Sequence, residues 1–230
     1  MVHGSALNAS VAPWYVIGKL RVEGVQSCTA TLIGPNTVIT AAHCIYNRKS
    51  KTYFAPKTIH FMAGVQNKTL IAQSTARSYT VAAKHLPEGQ FDEQALLTDW
   101  ALIELNEPVG CMLGFLKTGH ASEHAKHSLV AAGYPMSNSS QLIAETNCEF
   151  ALPPRKGKML RLKNCGVEHG DSGAALMATK GKVARILGII SAGTNDSKGR
   201  YRAFAVPSEQ FLKQVEKSNV SCDSLVPTYP

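Results

Sequence analysis

The sequence has no apolar run long enough to cross a membrane, because its longest hydrophobic stretches fall far short of the roughly 20 residues that a spanning helix needs. It also shows no repeat of fixed period and no low-complexity segment. Its first residues, Met1 to Ser5, have neither the basic region nor the apolar stretch of a secretory signal. We therefore expect no membrane span and no signal sequence in this chain.

Charged residues are scarce as well. They make up 17% of the 230 residues, while hydrophobic residues make up 44%, a balance that is typical of a globular protein. The length allows one large domain or two smaller ones that share a cleft. The formal net charge of +8 comes from basic residues scattered along the chain, so we expect no nucleic-acid partner.

The six cysteines form no Cys-x-x-Cys motif and no close cluster with histidine, so we expect no metal and no cofactor. Their even number suits disulfide bonds, which predict an oxidising compartment and hence a secreted or periplasmic protein. One pair follows from the local sequence. Residues 150–152 and 159–162 flank a turn-forming stretch at 153–158, and a hairpin there brings Cys148 opposite Cys165.

Short apolar segments separated by turn signals dominate the chain, a pattern typical of an all-β sandwich or barrel. A first series of strands is predicted over residues 14–22, 28–33, 37–40, 58–64, 70–73, 79–83 and 99–105. After a crossover, a second series is predicted over residues 128–133, 142–150, 159–162, 174–178, 183–191 and 201–206. Pro207 and Ser208 are then expected to cap a helix that ends near Lys217.

Three short motifs point to nucleophilic catalysis. A serine hydroxyl is a poor nucleophile until a neighbouring base takes its proton and backbone amides receive the oxyanion. Ser172 lies in a Gly-Asp-Ser-Gly turn that can bend tightly, although such a motif alone is also an ordinary surface turn. His43, in Thr-Ala-Ala-His-Cys, and Asp99, in Asp-Trp-Ala-Leu, precede it in one of the known triad orders.

In these three motifs the chain resembles the chymotrypsin-like serine proteases. The resemblance extends over nearly the whole chain, from Pro13 to the predicted terminal helix. Within that family, residues 31–40 and 132–135 are most similar to the bacterial glutamyl-endopeptidase-like branch.

The resemblance implies a fold and a domain organisation. The expected fold is all-β, with two six-stranded antiparallel β-barrels of chymotrypsin type and a C-terminal helix. Residues 1–117 would form the N-terminal barrel and carry His43 and Asp99. Residues 118–230 would form the C-terminal barrel, carry Ser172 and end in the helix.

The same resemblance implies a role for each motif. Ser172 would attack the scissile carbonyl, His43 would take its proton, and Asp99 would hold the imidazole in the useful tautomer. The amides of Gly170 and Ser172 would receive the oxyanion. A free amine at Val2 would pair with the acid that precedes the nucleophile and would switch the enzyme on.

The resemblance also completes the disulfide scheme. It implies that Cys28 pairs with Cys44 and ties the histidine loop to its barrel. Cys111 and Cys222 then remain and pair by elimination.

A specificity pocket is implied in the same way. Gly166 stands at its base, where trypsin-like relatives carry aspartate, so cleavage after Lys or Arg is disfavoured. Ile190 stands where glutamyl endopeptidases carry a histidine, which argues against cleavage after Glu. The remaining walls, Val167, Ile190, Ala192 and Ala203, are apolar and favour a small or medium apolar side chain. His169 is expected either at the exposed rim or in contact with substrate. The full candidate set is Gly166, Val167, His169, Ile190, Ser191, Ala192 and Gly193.

The expected partners are protein or peptide substrates, with a protein inhibitor as a further possibility, and we expect a monomer. Two other interpretations stay open. One is a binding protein that keeps the protease fold without catalysis, and the other is an esterase that uses the same triad. Within the peptidases, cleavage after Glu is the alternative specificity.

Overall fold

A computed structural model describes residues 4–22, 25–84, 86, 92–124, 127–180, 183–195, 198–217 and 221–225. In chain order its first strands are β1 (Ser5–Ala6), β2 (Ile17–Val22), β3 (Gln26–Leu32), β4 (Thr37–Thr40), β5 (Tyr46–Asn47), β6 (Thr52–Tyr53), β7 (Ile59–Ala63), β8 (Ala72–Val81) and β9 (Ala101–Leu105). They are followed by β10 (Lys117–Thr118), β11 (Ser128–Gly133), β12 (Ile143–Phe150), β13 (Leu160–Lys163), β14 (Ala175–Lys180), β15 (Val183–Asn195) and β16 (Tyr201–Pro207).

The helices are short. The α-helices are α1 (Glu93–Leu96), α2 (Val109–Leu113), α3 (Leu212–Lys217) and α4 (Cys222–Leu225). The 3-10 helices are Trp14–Val16, Ala42–Ile45, Pro56–Thr58, Ala121–His124, Met136–Asn138 and Ser208–Gln210. No helix in the described ranges is both long and apolar enough to cross a membrane.

The first barrel closes because its six antiparallel strands lie in the order β2, β3, β4, β9, β8 and β7, and β7 pairs back to β2. Burial alternates along β7, whose inward side chains fill the barrel while the others reach its outer surface. All four residues of β4 are buried, because this strand has protein on both faces.

The second barrel closes in the same way. Its strands lie in the order β12, β11, β14, β15, β16 and β13, and β13 pairs back to β12. Two short strands extend its sheet, since β1 pairs with β12 and β10 lies parallel to β15. The two closed antiparallel barrels confirm the predicted fold class. The division between residues 117 and 118 stays a prediction.

The three disulfides are the predicted pairs. Cys148 and Cys165 close the hairpin of β12 and β13, in which Glu149 lies opposite Lys163. The other two bonds join Cys28 to Cys44 and Cys111 to Cys222. Such bonds fit an oxidising compartment.

Tyr134 connects the two barrels. Its ring is almost fully buried, with 1% of its surface exposed, and its hydroxyl donates a hydrogen bond to Val65 O at 3.0 Å. Its amide donates to Thr29 Oγ1 of β3 at 2.9 Å. Burial raises the pKa of this phenol, so it remains a neutral donor between the barrels.

Two predicted strand boundaries were wrong. Residues Trp14–Val16 form a 3-10 helix rather than the start of a strand, because Trp14 N donates to Val11 O and Val16 N donates to Pro13 O. The two strands predicted at 70–73 and 79–83 are the single strand β8. Its polar middle section still pairs with β7 on one side and β9 on the other.

The predicted cap of the terminal helix was also wrong. Ser208 Oγ donates to Gly119 O at 2.7 Å and makes no helix cap. A 3-10 turn therefore follows Pro207, and the α-helix begins only at Leu212.

Candidate active site

The sheet of the first barrel brings His43 and Asp99 together. In the antiparallel pair of β4 and β9, Thr40 lies opposite Ala101. The chain that leaves β4 and the chain that enters β9 therefore meet at one edge of the barrel. His43 lies in the 3-10 helix just after β4, and Asp99 lies two residues before β9.

Asp99 holds His43 through two atoms. Asp99 Oδ2 lies 2.8 Å from His43 Nδ1, and Asp99 Oδ1 accepts a hydrogen bond from His43 N at 2.9 Å. Ser191 Oγ donates to the same Oδ2 at 2.5 Å. Asp99 is only 4% exposed, so these donors replace the water that its charge would otherwise need. The side chain of Ser191, predicted for the substrate pocket, is thus turned toward Asp99.

The two groups shift each other's pKa in opposite directions. Burial lowers the pKa of His43, but the charge and hydrogen bond of Asp99 outweigh burial and leave it raised. Burial raises the pKa of Asp99, but the His43 charge and the hydrogen bonds from His43 and Ser191 outweigh it and leave it lowered. Asp99 is therefore anionic at neutral pH and favours a protonated imidazole beside it.

The turn that carries Ser172 lies against β3 and the His43 helix. Ser172 O accepts a hydrogen bond from Thr29 N at 2.9 Å and lies 3.7 Å from Cys44 Sγ. A Cβ on Gly173 would come within 2.2 Å of Thr29 O, and the φ angle of this glycine is +81°. Only glycine lets the turn approach β3 this closely.

No hydrogen bond between Ser172 Oγ and His43 Nε2 occurs among the described residues. Catalytic hydrogen bonds are often long in free enzymes and tighten only when substrate binds. The half-buried Ser172 is close to the His43 helix through the backbone contacts just given. The three predicted triad residues are therefore neighbours, with the His43–Asp99 pair already formed.

Two amides beside Ser172 are open. Within the described chain, neither Gly170 N nor Ser172 N donates a hydrogen bond to a protein acceptor. The carbonyl oxygen of Gly170 accepts a hydrogen bond from Thr29 Oγ1 at 2.9 Å. The φ angle of Gly170 is +99°. The preceding carbonyl, His169 O, accepts from Met136 N at 2.6 Å. Two fixed, unpaired donors are what an oxyanion needs.

Asp171 is a buried acid on the same turn. It is 7% exposed, and its Oδ2 accepts a hydrogen bond from Glu168 N at 3.0 Å. Burial, together with the charges of Glu168 and Glu145, raises its pKa to about 7 against the opposing effect of that hydrogen bond. A Cβ on Gly4 would lie 2.6 Å from Glu145 Oε1, so the amino-terminal segment leads toward these acids. Val2, predicted to supply the amine, lies outside the described residues.

The candidate pocket residues lie on two segments beside Ser172. Val167 and Ile190 are buried, and Ile190 O accepts a hydrogen bond from Gly173 N at 2.7 Å. Ala192 is half-buried, while Gly166, His169 and Gly193 are exposed.

Sequence reasoning missed Tyr201. Its hydroxyl donates to Val167 O at 2.5 Å, which places the phenol among the candidate pocket residues. A signal was available, because Tyr201 lies two positions before Ala203 in a predicted strand and therefore shares its face.

One group of possible metal ligands occurs in the described part of the chain. Donor atoms of Cys28, His43 and Cys44 lie within 4.8 Å of one another. The two sulfurs are joined in a disulfide, so neither is a thiolate ligand. His43 is occupied by Asp99 on one nitrogen. These residues do not fit a metal.

Two antiparallel barrels, with a His–Asp pair beside a Gly-Asp-Ser-Gly turn where they meet, define the chymotrypsin-like serine protease fold. The comparisons with known proteins agree. The family model described as Trypsin matches residues 1–215, and the chain therefore belongs to the trypsin family, a family of serine endopeptidases.

The chain is similar to the glutamyl endopeptidase of Bacillus licheniformis, with 28% identity over 129 residues, which cover 56% of this chain and 38% of that protein. It is also similar to serine protease 56 of Mus musculus, with 28% identity over 110 residues, which cover 46% of this chain and 17% of that protein. The matches span less than half the length of these curated relatives.

A solved structure of a Glu endopeptidase in complex with MPD shares the fold. Its TM-score is 0.73 at 21% identity, and the match covers 95% of this chain and 97% of that one.

Proposed function

We propose that the chain is a secreted serine endopeptidase that hydrolyses peptide bonds through an acyl-enzyme on Ser172. His43 takes the proton of Ser172 Oγ as the hydroxyl attacks the carbonyl carbon, and then delivers it to the leaving amine. Asp99 stays ionised and stabilises the imidazolium. Water then repeats the sequence on the acyl-enzyme and releases the acid product.

One observation carries the proposal: the His43–Asp99 pair lies beside a serine turn that offers two unpaired amides. Hydrogen bonds of 2.8 and 2.9 Å fix the imidazole on Asp99. The Gly170 and Ser172 amides supply the oxyanion hole, and the Thr29 hydroxyl holds their turn from behind. A binding protein would have no need for this arrangement, so catalysis is the function it favours.

The pocket supports a preference for an uncharged, small or medium apolar residue on the acyl side of the cut. Val167 and Ile190 offer apolar surface. The carboxylate of Glu168, which lines the same cavity as Val167, would repel an acidic side chain.

Cleavage after Glu is the second candidate, because two of the similar proteins are glutamyl or Glu endopeptidases. In that case His169 is the first candidate ligand for the substrate carboxylate, and Arg200 and Arg202 come next. Ile190 stands where the resemblance to glutamyl endopeptidases implies a pocket histidine, which makes this specificity the weaker proposal.

The test is digestion of a denatured protein mixture, with every new terminus mapped by mass spectrometry and Ser172→Ala as the control. We expect cuts after small apolar residues and a loss in turnover on the order of a millionfold in the control. A dominant preference for Glu would select the second candidate. Equal digestion by both samples would refute the triad.

A further inference from the structure

Tyr201 joins the two segments that flank the proposed pocket. The phenol hydroxyl donates to Val167 O at 2.5 Å. The same oxygen would lie 1.8 Å from a Cβ built on Gly193, so it sits directly over the Cα of that residue. Val167 lies in the loop that precedes the Ser172 turn, and Gly193 lies on β15. One phenol therefore spans the gap between the loop and the strand.

The position of the ring is determined by β16. In the pairing of β15 with β16, Asn195 lies opposite Tyr201 and Gly193 lies opposite Ala203. Side chains two residues apart share a face of a strand, so Tyr201 and Ala203 project to the same side. Because Gly193 has no side chain, the phenol can cross over the backbone of β15 and reach Val167.

The hydrogen bond keeps the phenol in place at neutral pH. Burial first, and then the charges of Asp171 and Glu168, raise the pKa of Tyr201, so the hydroxyl remains a neutral donor to the Val167 carbonyl. Tyr201 is 39% exposed, so it is only partly enclosed, and its hydroxyl is held by the hydrogen bond to Val167 O.

We propose that Tyr201 is a specificity-determining residue that fills the space between Val167 and Gly193 and restricts the acyl-side residue of the substrate to alanine-like size. This inference rests on the proposed function, because it takes Val167 and Gly193 as opposite walls of the specificity pocket. A side chain that extends between the walls meets the phenol oxygen. We expect the methyl group of alanine to fit in front of that oxygen.

The proposal narrows the specificity expected from the other pocket residues. Val167, Ile190 and Ala192 alone would accept a medium apolar side chain such as leucine. With the phenol in place, leucine and phenylalanine lose the depth that they need, and steric exclusion discriminates more strongly than a missing methylene does.

The test measures peptide binding in the Ser172→Ala background, where no cleavage occurs. Two peptides that differ only in alanine or phenylalanine at the acyl-side position are titrated against chains with Tyr201, Tyr201→Phe, Tyr201→Ala and Tyr201→Val. Tyr79→Ala, a half-buried tyrosine of the first barrel, is the matched control. Tyr201→Val suits a strand and replaces Tyr201→Ala if that variant fails to fold.

We expect the Tyr201 chain to prefer the alanine peptide. In Tyr201→Ala or Tyr201→Val the affinity for the phenylalanine peptide should rise relative to the alanine peptide by about tenfold or more. Tyr201→Phe, which loses the obstructing oxygen and its hydrogen bond but keeps the ring, should raise the ratio by a smaller factor, and Tyr79→Ala should leave it within about threefold of the Ser172→Ala chain that keeps Tyr201. An unchanged ratio in a folded Tyr201→Val variant, or no binding of either peptide to any variant, would overturn the proposal.

Labelling of the parent chain by a fluorophosphonate separates this inference from the proposed function. If the chain that keeps Ser172 is labelled there but the Ser172→Ala variants show no change of peptide ratio, the serine protease stands and the role of Tyr201 is refuted. If that chain is not labelled but the Ser172→Ala variants show the shifted ratio, the serine protease is refuted and the role of Tyr201 in the pocket stands.

Discussion

Asp99 governs both the geometry and the protonation of His43. Below its pKa His43 is charged and cannot take the proton of Ser172, so kcat/KM should fall as the pH drops through a value above the ordinary 6.5. Asp99→Asn removes the charge that raises this pKa but leaves the burial that lowers it. We expect the acid limb of the pH profile to move to lower pH, with a loss of about 10⁴-fold in kcat.

Ser191→Ala is the matched control for that change, because it removes one hydrogen bond from Asp99 Oδ2 and keeps the charge. We expect it to lower kcat by less than about tenfold. Steady-state kinetics of both variants between pH 5 and 9 on the same peptide decide the point. An acid limb that stays in place in Asp99→Asn would contradict the assigned source of the His43 pKa.

Asp171 makes stability depend on pH in a direction unusual for an acid. Its folded pKa of about 7 lies above the ordinary 3.8, so the folded state holds an extra proton between these values. The contribution of Asp171 to the free energy of unfolding is therefore highest below pH 4 and falls as the pH rises through 7. Asp171→Asn needs no proton, so relative to the parent it should gain stability from pH 4 to 8, on the order of 4 kcal/mol at the limit.

Urea unfolding at several pH values measures this difference and also tests the predicted amine switch. In a chain that begins at Val2, an ammonium beside Asp171 would lower its pKa, and Asp171→Asn would then cost about 3–5 kcal/mol at pH 8. The two chain forms should thus respond with opposite signs. A difference that does not change with pH in the form that keeps Met1 would contradict the raised pKa, and a difference of the same sign at pH 8 in both forms would contradict the switch.

Strand β3 is the element that positions the Ser172 turn from the opposite barrel. Thr29 is fully buried, and its hydroxyl donates to Gly170 O and accepts from Tyr134 N. Thr29→Val leaves that carbonyl and that amide unpaired, which should cost roughly 1–3 kcal/mol per group and lower kcat by loosening the Gly170 amide.

The same strand supplies a control two residues along. Thr31 is equally buried, but among the described residues its hydroxyl has no hydrogen-bond partner. Thr31→Val should therefore keep or increase the stability and leave kcat unchanged. Thermal melts and kinetics of the two variants give the comparison. Equal losses in both would show that the Thr29 contacts do not hold the turn.

Elements with a strong local signal were predictable from the sequence. β4 and β11 fall on the predicted residues 37–40 and 128–133, because turns bound each apolar run. β8 was split in prediction, since its polar centre lacks an apolar run and is specified by pairing with β7 and β9. Local pattern does not report such long-range pairing.

The site was predictable to a similar degree. His43, Asp99 and Ser172 lie in short motifs that the sequence displays directly. The contact of Tyr201 with Val167 and that of Thr29 with Gly170 join residues 34 and 141 positions apart, and only the folded barrels bring them together. The hydroxyl of Ser191 is turned toward Asp99 because β15 passes beside the first barrel. The sequence alone does not predict this packing.

The functional groups of the candidate active site come from both barrels. In the proposed mechanism, the first supplies the base and its acid, and the second supplies the serine and the open amides. Contacts made by Thr29, Tyr134 and Cys44 hold the two barrels together at this site. Catalysis by this arrangement requires both barrels to be folded and docked, so activity should be lost in the same transition as structure.

Labelling of the folded chain with a fluorophosphonate, followed by peptide mapping, tests the central claim most directly. The probe reports an activated serine without any assumption about specificity. We predict one adduct, on Ser172, that is absent from Ser172→Ala, strongly reduced in His43→Ala and abolished by prior unfolding. A folded chain that takes up no label on Ser172, or takes it up equally without His43, would contradict the account.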